Sequence, residues 1–216
     1  MFDTGLHITT MLNTSWLPWL CLAMVGLVWV SCMLQPRYLP SLLSNSFADF
    51  DINDSEQVPS IGSQITQWLF NSIVPAICIF TLVTQGAVYG TELFGQILLL
   101  SLLTDAFRVV AVLMESYTFR FGKLTYKAYL RYYSLRSLFT FFELALVLLL
   151  AHTTPQLPWL MILGLLTIVY LVMLGLQWAR LFCKSVWDIF GLIIHLITVE
   201  LLPTALLFEV GKQLYL

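Results

Sequence analysis

Six stretches of this chain are long and apolar enough to cross a bilayer, and that constrains it more than any motif it carries. Crossing ~30 Å of hydrocarbon takes ~20 apolar residues at a rise of ~1.5 Å each. Residues 16–34 and 67–88 meet this requirement without a single Asp, Glu, Lys or Arg, and Pro75 lies inside the second. Residues 93–114 carry Asp105 and Arg108, and residues 135–151 carry Arg136 and Glu143. Residues 159–178 are uncharged and bracketed by Trp159 and Trp178, which suit the two membrane interfaces. Residues 186–208 carry Asp188, His195 and Glu200. Runs such as LLLSLL and ILGLLTIVYLVMLGL lack the period of two that a barrel wall needs, so the spans are expected to be helices.

Composition supports the same class. Only 10% of residues are charged, against ~25% in a soluble domain. A water-soluble enzyme, a nucleic-acid-binding module and a disordered chain are thereby excluded, and the net charge of −2 offers nothing to a polyanion. The expectation is an all-α polytopic membrane protein, one transmembrane domain over residues 1–216 with six helices and the lipid bilayer as its main partner.

The cations set an orientation. Arg37 follows the first span; Arg120, Lys123, Lys127, Arg131 and Arg136 cluster between the third and fourth; Arg180 and Lys184 lie between the fifth and sixth. All eight fall on one side of a six-span arrangement, which the positive-inside rule makes cytoplasmic. Both termini are then expected to be non-cytoplasmic. No basic segment precedes residue 16, so the first stretch reads as a retained span and not a cleaved signal.

Two cytoplasmic segments have substance. Residues 35–66 hold Asp49, Asp51, Asp54 and Glu56 among Ser, Asn and Pro, the composition of an acidic surface loop. The DFDINDSE run lacks the central Gly of a calcium loop. Residues 116–136 hold five cations and no acid after Glu115. On a helix, Lys123, Lys127 and Arg131 form one stripe and Tyr126, Tyr129 and Tyr133 another, with Arg136 beyond them. Aromatic rings at headgroup depth beside cations read as an interfacial segment that anchors topology or meets anionic lipid.

The ionisable residues within the spans are the candidate functional set. Such groups are costly in hydrocarbon and usually face protein. Asp105 and Arg108 stand three apart and can pair on one helix face. Counted from the inner ends of their spans, Asp105, Glu143 and His195 each lie ~12–14 Å deep, so they and Arg108 share one layer. Glu200 reads as separate, ~140° from His195 on an ideal helix. Pro203 beyond it frees the carbonyl of Val199 and should kink the helix. Asp105, Arg108, Glu143, His195 and Glu200 therefore form the intramembrane polar set, either fixing helix register or relaying protons or ions.

Cys21, Cys32, Cys78 and Cys183 have no CxxC spacing, and His152 and His195 differ too much in depth for one haem. No HExxH, GxSxG or phosphate-binding glycine motif occurs. No catalytic residue, metal or cofactor is assigned from the sequence.

Three segments carry a resemblance: PRYLPSLLSNSF after the first span, RFGKLTYKAYLRYYSLR after the third, and HLITVELLPTALLF in the last, with Glu200 and Pro203 as a Glu-x-x-Pro pair. Together they resemble a bacterial inner-membrane family known only as a domain of unknown function. The resemblance implies the architecture and a multi-pass location in the bacterial inner membrane, and implies no mechanism. The expectation for function is a non-enzymatic subunit or accessory factor of a membrane complex, with a membrane-protein partner or a second copy of itself. A small ion-coupled transporter or proton pathway through the polar cluster is the alternative, followed by a lipid-modifying membrane enzyme.

Overall fold

The computed structural model describes residues 16–47, 60–84, 91–119, 123–150, 158–182 and 186–215. Among them all regular structure is helical: α1 (Leu17–Leu34), α2 (Tyr38–Phe47), α3 (Ile61–Thr84), α4 (Thr91–Phe119), α5 (Lys123–Leu150), α6 (Pro158–Phe182), α7 (Val186–His195), a π segment (Leu196–Leu201) and α8 (Leu202–Tyr215). Six helical spans are apolar and long enough to cross a membrane, the last running through α7, the π segment and α8. The chain is a six-span polytopic membrane protein. Apolar residues such as Trp19, Met161, Leu165 and Ile194, each more than 60% exposed, form the outer face that lipid covers.

Local chemistry sets the helix starts. Pro18 sits in the first turn of α1 and Pro158 opens α6, where a missing N–H costs nothing. Ser60 caps α3 by accepting from the Ser63 amide at 3.2 Å. The helices run longer than the apolar stretches alone predict. α5, with 28 residues, extends ~42 Å, so its first turns project beyond ~30 Å of hydrocarbon. The part of the basic segment from Lys123 onward thus belongs to one continuous helix with the span.

α3 is the axis of the bundle. Some 61% of its span is buried, against 22% for the spans in α1 and α6. It packs against α1, α4, α5 and α8. Val74, Ile77, Phe80 and Ile97 fill that core, and Trp16, Phe80 and Phe94 make an aromatic triangle with centroids 5.0–5.6 Å apart. A second cluster joins Tyr132, Leu135 and Phe139 of α5 to Tyr170, Leu174 and Trp178 of α6. Within residues 35–66 the chain forms α2, which lays Tyr38 and Leu42 against α5. The acidic run 49–56 lies outside the described residues.

Candidate functional site

The centre of the site is Asp105 on α4. Its Oδ1 accepts from Arg108 Nη1 and Arg136 Nη2, each at 2.8 Å, and its Oδ2 accepts from Ser72 Oγ at 2.6 Å. One carboxylate therefore holds two guanidiniums from two helices, and its side chain is 4% exposed. Both contacts are charge-assisted, and their length fits that strength. Ser101, one turn from Asp105, donates to the Ser72 carbonyl at 2.8 Å and ties α4 to α3.

Both arginines also cover carbonyls that prolines expose. Pro75 offers no amide to Asn71, four residues before it, and Arg136 Nη2 donates to that carbonyl at 3.4 Å. Pro203 offers none to Val199, and Arg108 Nε donates there at 3.3 Å. Freed carbonyls in hydrocarbon must find such donors. Arg108 Nη2 further donates to the Glu200 carbonyl at 3.4 Å and to Thr204 Oγ1 at 2.7 Å.

Glu200 joins this network. Its Oε2 lies 3.5 Å from Arg108 Nε and accepts from the Tyr170 hydroxyl at 3.5 Å. The sequence expectation that it stands apart from the other charges assumed α-helical phase. The π segment changes that phase, because its turns close from i to i+5, and Glu200 comes to face Arg108. Longer helices than the apolar stretches also bring Arg108 and Glu200 to one level. Such single-turn π segments are frequent at functional sites.

Glu143 is placed differently. It makes no ion pair among the described residues, and its Oε2 is buried without a hydrogen-bond partner. Its side chain lines a cavity of about 430 Å³ between α3, α4, α5, α6 and the final helix, together with Arg108, Arg136, Tyr170 and Glu200. Glu200 Oε1 and Arg136 Nε on the same wall are likewise unsatisfied. The rest of the wall is mainly apolar, including Ile79, Leu82, Leu166 and Phe208.

The remaining sequence-selected residues divide into two groups. His195 is buried and stacks on Trp178 at 4.3 Å between centroids, and it is not part of the cavity wall. Arg131 and Tyr133 are buried, and Tyr129 packs on Tyr133 with centroids 4.6 Å apart. Lys123, Tyr126 and Lys127 lie on α5 with side chains outside the description. Arg136, grouped by sequence with this basic segment, reaches Asp105 instead. Sequence reasoning missed Ser72, Tyr170 and Thr204, because each bonds across helices and carries no charge to mark it.

The fold and this site define a class: an all-α, six-span membrane protein with a charged network at the edge of an intramembrane cavity. No protein-family model matches the chain, and neither a curated protein nor a solved structure shows significant similarity to it.

Proposed function

We propose that the chain is a small proton-coupled carrier whose exchange site is the intramembrane cavity. The observation that carries this is Glu143. Asp105 and Glu200 are paired with Arg108 and Arg136, while Glu143, which shares the cavity wall with both arginines, has no counter-charge in contact. Two guanidiniums against three carboxyls leave one negative charge in excess. An uncompensated charge at this depth costs several kcal/mol, so Glu143 holds either a proton or a bound cation. A group that alternates between the two is what coupled exchange requires.

Seven cations, with Arg136 drawn into the network, still lie on one side of the six spans and support a cytoplasmic side there, with both termini outside. A location in a bacterial inner membrane is part of the same proposal and rests on the resemblance carried by the Glu-x-x-Pro tail. An accessory role in a complex finds less support, because the apolar outer faces of α1 and α6 suit lipid as well as a partner.

The test uses the protein in vesicles with a trapped pH dye, the membrane potential held at zero, and an inward gradient of sodium, of potassium or of an alkyl-aryl ammonium in turn. With at least one of these cations the parent should make the lumen alkaline faster than protein-free vesicles, and Glu143→Gln should return the rate to theirs. A parent rate equal to that of empty vesicles overturns the reading.

A further inference from the structure

We infer that the cargo exchanged against the proton is a lipophilic cation, and that it enters sideways from the bilayer between α6 and the final helix. This rests on the reading of Glu143 above. The entry route follows from packing. α6 runs along α5, α7 and the π segment, but does not pack closely against α8. The cavity reaches the surface in that gap: its lining residues Gly164 and Thr167 on α6, and Thr204 and Ala205 on α8, are all exposed. This surface faces hydrocarbon, so molecules that arrive there are already dissolved in lipid.

The chemistry of the wall selects among them. The cavity, about 430 Å³, falls within the ~300–1,000 Å³ of small-molecule sites. Its apolar residues suit an alkyl or aryl body. Both guanidiniums are already turned to Asp105, and Arg108 also to Glu200, so their positive charge is engaged within the network. Glu143 is the carboxyl left over. Phe139 and Tyr170, with ring centroids 5.2 Å apart, also line the cavity, and aromatic rings in a cavity wall suit a cation. A cation at Glu143 restores the charge balance that a proton otherwise provides. The two therefore exclude one another: the proton leaves the carboxyl as the cation arrives, one positive charge for one.

The experiment uses the full chain in vesicles and two photoactivatable probes of equal shape, an alkyl-aryl quaternary ammonium and its neutral tert-butyl isostere. The ammonium probe should label α6 and α8 at least about tenfold more than the isostere, and Glu143→Gln should remove that difference. Gly164 has open space around its Cβ position, so Gly164→Trp should plug the gap and abolish labelling. Ala205→Trp on the opposite lip is a second plug should the first fail to fold. Leu165→Trp, on the face of α6 turned away from the cavity lining, should leave labelling unchanged.

Equal labelling by both probes overturns the cationic cargo. Labelling that survives both plugs overturns lateral entry. Proton exchange in the same vesicles separates the two proposals. Exchange driven by sodium or potassium without selective labelling removes the cargo and keeps the proton site; selective labelling without exchange removes the coupling and keeps the binding site.

Discussion

Replacing Asp105 by Asn should destabilise the bundle by about 3–5 kcal/mol, the usual cost of leaving a buried charge without its partner. The amide keeps one acceptor oxygen but loses the charge that faces Arg108 and Arg136, both held at 2.8 Å. Arg108 keeps Glu200 as a partner at 3.5 Å. Arg136 keeps only the Asn71 carbonyl among its described bonds, so it becomes the exposed fault. That asymmetry makes a second variant informative. Arg136→Met in the Asp105→Asn background removes the orphaned guanidinium and should recover ~1–2 kcal/mol, although each single change is damaging. The assay is reversible unfolding in mixed micelles or by steric trapping, read as a double-mutant cycle. A loss under ~1 kcal/mol for Asp105→Asn, close to the ~0.6 kcal/mol average of a membrane hydrogen bond, would refute the reasoning. So would a double variant that is simply as unstable as the sum of its parts.

Other outcomes follow from particular contacts. Glu143→Gln should cost under ~1 kcal/mol in the same unfolding assay, because no ion pair is lost. A Cβ on Gly211 would stand 3.3 Å from Ile79 Cγ2 and 3.7 Å from Val83 Cγ2, so Gly211→Leu should overpack the α8–α3 contact by ~1–3 kcal/mol. Gly95→Ala, with open space at its Cβ position, should be neutral or stabilising by up to ~1 kcal/mol in melting experiments. Pro203→Ala returns an amide to the Val199 carbonyl and should convert the π segment to α-helix. Cysteine accessibility along residues 204–208 would then shift by one position, and an unchanged pattern counts against Pro203 as the cause.

The spans were legible because hydropathy over twenty residues is a sum, insensitive to any one side chain. The pairing of Asp105 with Arg108 was also within reach, since residues three apart on a helix must be neighbours. α2 was harder to see. YLPSLLSNSF is short and only half apolar, and it is held by burial of Tyr38 and Leu42 against α5, an element that begins far along the chain at Lys123. Arg136 was misleading for a similar reason. Its neighbours in sequence are basic and aromatic, but its side chain joins the network within the bundle. The π segment has no signature in LITVEL beyond the nearby Pro203, and the phase of Glu200 depends on it. Lateral arrangement, which decides whether charges at one depth ever meet, is not written in periodicity at all.

The network separates into a satisfied part and an unsatisfied part, and the separation bears on what each can do. Asp105 accepts three short bonds, two of them from guanidiniums on one oxygen, and these charges hold it ionised and out of the exchange. Arg108 and Arg136 each hold an acid and cover a carbonyl that a proline left bare. Moving either would expose backbone to hydrocarbon as well as break an ion pair, so both are fixed by two costs at once. The two prolines thus explain why arginine, with several donors on a rigid fork, stands at these positions and lysine does not. Glu143 has none of these ties. It shares the cavity with the arginines without contacting them, and a change in its charge moves no helix contact. A carboxyl supported at a distance by a rigid charged scaffold can gain and lose a proton without unfolding its site. Glu200 stands between these cases, with one oxygen held by Arg108 and Tyr170 and the other unsatisfied. Because it sits on the π segment, a change of helical register there would move it relative to Arg108 while Asp105 and Arg136 stayed in place.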